Sequence, residues 1–301
     1  MRIASLVSAA TEIAFALGLG PRVVGVSHEC DFPPEVTRLP RLTRCLIDPS
    51  RPSREIDEAV RAAVARGGGN AELYHVDAEA LAAVAPDVLL TQQLCEVCAV
   101  SVGAVERQLA RERGIRIVTM SGGDLAGVWD DIRAIGDACA ARDAAEDLIH
   151  SLDARHVRVR RAVDGRPRRT VVCLEWLDPP FDAGHWVPEQ IAAAGGIDLL
   201  ARPHVPSRER SWDQVRAADP DVLLLMPCGF GVDRAATEAR IVASELRTIR
   251  AVREGHAWIV DGNAYFSRPG PRLMDGIELA AALLHPGAIE LVPDRSMPLA
   301  A

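Results

Sequence analysis

Apolar residues along this 301-residue chain fall into two alternating patterns: short uninterrupted runs, and longer stretches in which they recur every three, four or seven positions. The short runs read as strands buried on both faces, as in the interior of a parallel sheet covered by helices. They are Arg2 to Val7, Val23 to Val26, Leu73 to Val76, Val88 to Leu90 and Ile115 to Thr119, then Thr170 to Leu174, Val222 to Leu224 and Ala257 to Val260. Helical stretches separate most of them, as parallel crossovers require. After the first strand, Ser8 is placed to accept the first helical N–H groups, and the helix continues from Thr11 to Leu19 and ends at Gly20.

From Asp124 to Val163 the helical spacing is continuous through Leu125, Val128, Ile132, Ile135, Cys139, Ala145, Leu148, Leu152 and Val159. Asp124 is the expected N-cap, and Gly165 followed by Pro167 the expected stop. One helix of about 40 residues would span about 60 Å, more than a single small domain. On either side of it lies a similar phrase, Ala83-Val84-Ala85-Pro86-Asp87-Val88-Leu89-Leu90 and Ala217-Ala218-Asp219-Pro220-Asp221-Val222-Leu223-Leu224, which relates the two halves as a weak repeat. The expected architecture is α/β: two Rossmann-like lobes, 1–123 and 165–301, joined by one spanning helix over 124–164, with a ligand cleft between the lobes.

Composition narrows the function. The net charge of -8 argues against a phosphate-neutralising nucleic-acid surface, and all 34 basic residues are arginine. No apolar run reaches the roughly 20 residues of a membrane span, and Met1 to Gly20 lacks the basic start of a signal peptide. Seven cysteines, an odd number in a long chain, favour a reducing compartment. The cytoplasm is therefore the expected location for the sequence as it stands, and the periplasm if a leader was trimmed.

In open parallel sheets, ligands sit beyond the carboxyl ends of the strands. The residues there are polar and aromatic. In the first half they are Ser8, Thr11 and Glu12, then His28, Cys30 and Asp31, then Tyr74 beside His75, then Gln92 and Gln93. In the second half they are Glu175, Trp176 and Phe181, His185 and Trp186, Cys228 and Phe230, and Asn263, Tyr265 and Arg268. Aromatic residues are only 4% of the chain, yet most of them fall in these segments. Trp176, Phe181, Trp186, Phe230, Tyr265 and Phe266 would make a wall for a flat, largely apolar ligand; the alternative for each is a place in a lobe core. Cys95 and Cys98, at the spacing of a thiolate pair, would with His28 and Cys30 make a four-ligand zinc or iron site; the alternatives are small hydrophobes or redox-active thiols at a helix start. Catalysis is not expected: Cys30 near His28, or Cys228 near His185, supplies nucleophile and base in principle, but no nucleophile elbow, phosphate loop or HExxH helix is present.

Together these segments resemble the helical-backbone metal receptor superfamily, the class III periplasmic substrate-binding proteins of ABC importers, and within it the cobalamin-binding branch. The resemblance rests on Arg2-Ile3-Ala4-Ser5-Leu6-Val7-Ser8-Ala9-Ala10-Thr11-Glu12, Val23-Val24-Gly25-Val26-Ser27 with Asp31-Phe32-Pro33-Pro34, and Pro86-Asp87-Val88-Leu89-Leu90. It continues through Gly184-His185-Trp186, Ser211-Trp212-Asp213-Gln214-Val215 and Ser267-Arg268-Pro269-Gly270-Pro271-Arg272. It implies non-catalytic binding of cobalamin, another corrinoid or a related metal-bearing small molecule, by a monomer that delivers to an ABC importer permease. Gln92 and Gln93 stand where the cobalamin binders present an aromatic. The alternatives are a zinc or iron protein using the Cys and His ligands, and a cytosolic corrinoid-binding or sensing relative.

Overall fold

The computed structural model describes residues 1–66, 73–93, 114–292 and 294–299. The chain forms two compact units, one of Met1–Arg51 with Glu55–Ser151, the other of Pro52–Arg54 with Leu152–Ala301. Among the described residues, no helix is long and apolar enough to cross a membrane.

In the first unit, strands β1 (Ile3–Ser5), β2 (Val23–Gly25), β5 (Val88–Gln92) and β6 (Arg116–Met120) form a parallel sheet in the order β2-β1-β5-β6. All five residues of β5 are buried, which explains its lack of alternation. The expected strand near Leu73 is β4 (Tyr74–Val76), but it pairs antiparallel with β3 (Thr43–Cys45) in a separate two-stranded sheet. The half-buried and exposed residues of β4 show why: a strand with Tyr74, exposed His75 and Val76 has no second covered face. Helix α1 (Ser8–Ala16) starts one residue earlier than a Ser8 cap requires, so Val7 is the N-cap and the buried Ser8 hydroxyl has no hydrogen-bond partner among the described residues.

The single 40-residue helix is not formed. Helix α4 (Leu125–Ala138), capped by Asp124 whose Oδ1 accepts from Gly127 N at 2.7 Å, stops before α5 (Arg142–Val163), with Ala140 between them at φ 54°. The free carbonyls at the end of α4 are met by guanidinium groups, Arg22 on Cys139 O at 3.2 Å and Arg116 on Ala138 O at 3.4 Å, which suit the negative end of the helix dipole. Gly136 then lets α5 pack close, since a Cβ there would lie 2.6 Å from that of Ala145. At 22 residues α5 is about 33 Å long. The chain passes between units within it, so the first part of the expected spanning helix belongs to the first unit. Gly165, at φ 70°, follows its end.

The second unit has a six-stranded sheet among the described residues. Its path is β12 (Ser296–Pro298), β11 (Ala257–Val260), β10 (Val222–Leu225), β7 (Arg169–Leu177), β8 (Pro180–Asp182), with β9 (Gly196–Asp198) beside the start of β7. Strands β7, β9, β10 and β11 run parallel, while β8 and β12 are antiparallel additions. The segment from Glu175 to Phe181, expected as a loop, is therefore a hairpin: β7 continues to Leu177 and returns at Pro180.

The repeated phrase has the same structure in both units. Helices α3 (Ala78–Val84) and α7 (Trp212–Ala218) each end in a left-handed residue, Ala85 at φ 38° and Asp219 at φ 42°. In each, the aspartate after the proline ties down the neighbouring strand: Arg2 N donates to Asp87 at 2.7 Å, and Thr170 N to Asp221 at 2.9 Å.

Candidate functional site

In the first unit, the candidate residues after β1 and β2 lie close together, but mostly inside. Thr11 and Cys30 are buried, with Thr11 Oγ1 3.1 Å from Cys30 Sγ, and Glu12 is buried as well. Thr43 Oγ1 lies 2.7 Å from His28 Nδ1 and donates to Ser27 Oγ at 3.2 Å. Burial, and then the charge of Arg41, lowers the His28 pKa. Arg41 also closes the turn from Ser27 to Cys30 by donating to both carbonyls, at 2.8 and 2.7 Å. Tyr74 stacks at a tilt on His28 with ring centroids 5.7 Å apart. Asp31 and Gln93 are exposed and Gln92 is buried.

The expected metal site divides. Cys95 and Cys98 lie outside the described residues, as do Gly67, Gly68 and Gly69. Of the other two ligands, the Cys30 thiol is engaged with Thr11 and His28 Nδ1 with Thr43. Among the described residues, no group of three or more His, Cys, Asp and Glu is arranged to hold a metal ion.

In the second unit, three strand-end segments are stitched into one surface. Cys228 N donates to Glu175 O at 2.8 Å, and Asn263 N donates to Phe230 O at 3.1 Å. The Trp176 and Phe230 rings meet at 5.3 Å and 41°. Phe181 stands directly opposite Trp176 across the hairpin, where cross-strand side chains share a face. Trp176 Nε1 donates to Ser53 O at 3.2 Å, placing the Pro52–Arg54 segment against this surface, with Arg54 paired to Asp178.

Three members of the expected wall are core residues instead, and one of them, Phe230, is 7% exposed and packs on Trp176. Trp186 is 6% exposed and its indole donates to Phe266 O at 2.7 Å, while Phe266 is 3% exposed. Gln190, also buried, ties the same turn through Tyr265 O and Leu273 O. His185 remains half-buried in a left-handed conformation, φ 52°, with its pKa lowered by burial. Tyr265 is half-buried, with the guanidinium of Arg295 5.0 Å from its ring centroid and that of Arg272 5.9 Å away. Arg268 is buried and donates to Asn263 Oδ1 at 2.8 Å, so the pair fixes the loop before the closing helix. Thr43, Arg41, Ser53, Arg234 and Glu238 carry no site signal along the chain beyond the i,i+4 spacing of Arg234 and Glu238.

Each of the two α/β units has parallel strands whose ends carry polar and aromatic side chains, the place where open α/β sheets bind their ligands. The periplasmic binding protein family model matches residues 3–264, and the chain belongs to this family of substrate-binding proteins. A vitamin B12-binding protein of Vibrio cholerae is 25% identical over 287 residues, covering 94% of this chain and 88% of that one. A periplasmic haem-binding protein from Pseudomonas aeruginosa superposes with a TM-score of 0.73 at 20% identity, over 100% of this chain and 98% of that one. The periplasmic vitamin B12-binding protein of Vibrio cholerae superposes with a TM-score of 0.69 at 21% identity, over 94% and 96%.

Proposed function

We propose that this protein binds a corrin or porphyrin ligand, cobalamin first and haem second, without catalysis, and delivers it to an ABC importer permease. The observation that carries the reading is the aromatic surface of the second unit, where the half-buried Trp176 and Phe181 stand opposite one another at the end of β7 and the buried Phe230 packs on Trp176. A flat macrocycle gains from such faces, and amide-rich or charged edges find partners in Asn263, Glu175 and the Arg268 loop. Cobalamin leads because a relative that matches along 94% of this chain, from Vibrio cholerae, is a vitamin B12-binding protein. Haem is the second reading because the Pseudomonas aeruginosa haem-binding protein matches the fold over the whole chain. His185, neutral through burial, and Tyr265 are side chains able to meet a metal centre. Periplasmic or surface-anchored action accompanies the transport role.

Titration of the purified protein with hydroxocobalamin and with haemin, followed by the visible spectrum, tests the proposal. A saturable spectral shift with one of them supports it and chooses between the two readings. No shift with either up to high micromolar ligand rejects it.

A further inference from the structure

Five residues of the second unit close a ring of contacts behind the aromatic surface. Glu238 Oε2 accepts from Ser53 N at 3.0 Å and from Ser53 Oγ at 2.6 Å. Its other oxygen meets Arg234 Nη2 at 2.9 Å, and the Arg234 guanidinium lies 4.9 Å from the Phe230 ring centroid. Phe230 packs on Trp176, and the Trp176 indole donates back to Ser53 O at 3.2 Å. Each link is a separate contact, and all five residues fall in one compact unit.

The Glu238 side chain is only 3% exposed. A carboxylate so removed from water needs its charge met and its oxygens hydrogen bonded, and an apolar residue would fill a plain helix-packing position without that requirement. Here one oxygen is met by the serine and the other by the arginine, and both partners lead directly to an aromatic ring. We propose that Glu238 is a positioning residue for the ligand wall, holding Trp176 directly through Ser53 and, through Arg234, the buried Phe230 on which Trp176 packs. The inference rests on the reading of Trp176 as a ligand contact. Rings fixed before the ligand arrives lose less freedom on binding, so the carboxylate acts on affinity without touching the ligand.

The experiment uses the full chain with Glu238→Ala, Glu238→Gln and Ser53→Ala, each with and without Trp176→Phe. The difference within each pair isolates the Trp176 emission. Acrylamide quenching of that emission is read without ligand, hydroxocobalamin and haemin are then titrated, and melting is followed throughout. In Glu238→Ala, Trp176 becomes more quenchable and the bound ligand weakens by about tenfold. Glu238→Gln keeps an acceptor for Ser53 but loses the charge facing Arg234, so Trp176 stays near its original accessibility and the loss of affinity is smaller. Should Glu238→Ala not fold, Ser53→Ala removes the shortest link and raises quenching in the same direction to a lesser degree. Unchanged Trp176 quenching in the folded variants overturns the inference, because a purely architectural carboxylate predicts that result. If the unsubstituted protein binds neither probe, the ligand reading fails by itself, and quenching in the ligand-free protein still decides whether Glu238 positions the ring.

Discussion

Removing the Asp182 carboxylate should destabilise the second unit far more than removing a carboxylate in open solvent, such as that of Asp213 at 86% exposure. Asp182 ends β8, the return strand of the hairpin that carries Trp176 and Phe181, and its side chain is 2% exposed. One oxygen accepts from Arg208 N at 2.6 Å, and the other accepts from Arg210 Nε at 2.7 Å and also from Nη2. Arg210 is itself held by donation to Leu200 O at 2.9 Å, and its side chain is 17% exposed. Asp182→Ala leaves that guanidinium and a backbone N–H without their acceptor, and breaking a buried pair from one side costs about 3–5 kcal/mol. For a unit of this size each kcal/mol moves the melting point by about 2–4 °C, so the loss is about 6–20 °C. Removing both partners, as Asp182→Leu with Arg210→Met, takes away the stranded charge and recovers part of it. Urea unfolding followed by far-UV circular dichroism, run as a double-mutant cycle, measures both quantities. A loss below about 1 kcal/mol for Asp182→Ala, the range of exposed pairs, would refute the reasoning.

Local geometry sets three further outcomes. Gly184→Ala should cost about 1–3 kcal/mol in urea unfolding, because its Cβ would sit 2.4 Å from Ser207 N and 2.7 Å from Val205 O; an unchanged midpoint contradicts the close approach. Ala140→Gly should be neutral or stabilising by under about 1 kcal/mol, since Ala140 is left-handed, whereas Ala134→Gly inside α4 should lose about 1 kcal/mol. Equal losses at the two positions would show the helix to be continuous. Asp221, its pKa lowered chiefly by the Thr170 backbone N–H and also by Arg169 and Arg250, contributes stability that is full above the unfolded value near 3.8 and is lost as pH falls through the folded value. With the side chain more than a third exposed, solvent screening holds the effect under about 1 kcal/mol. Asp221→Asn should therefore flatten the stability profile between about pH 5 and 2, by roughly that amount, and an unaltered acid limb would sink the assignment.

The strands were legible because strands covered on both faces have no alternation to obscure them, as in Val88–Gln92 and Val222–Leu225. The repeated PDVLL phrase also proved structural, since the same aspartate and the same left-handed helix end recur in both units. The break at Ala140 was hidden for a physical reason. Alanine is the strongest helix former, so Ala138-Cys139-Ala140-Ala141 carries no local stop, and the carbonyls freed there are met by Arg22 and Arg116 from distant segments. Trp176 and Trp186 carry the same signal along the chain, an aromatic beyond a strand. What separates them is the carbonyl each indole finds, Ser53 O for one and Phe266 O for the other, each far away along the chain. Glu238 was invisible as a site residue because its partner Ser53 lies 185 positions away.

The most direct test of the proposed binding surface is calorimetric titration of the unsubstituted protein and Trp176→Ala with hydroxocobalamin and haemin. One of the two should bind, and Trp176→Ala should weaken it by about tenfold or more, the scale of losing one stacked aromatic face with its apolar contact. Binding of neither compound, or equal binding by the variant, would contradict a ligand wall built on Trp176.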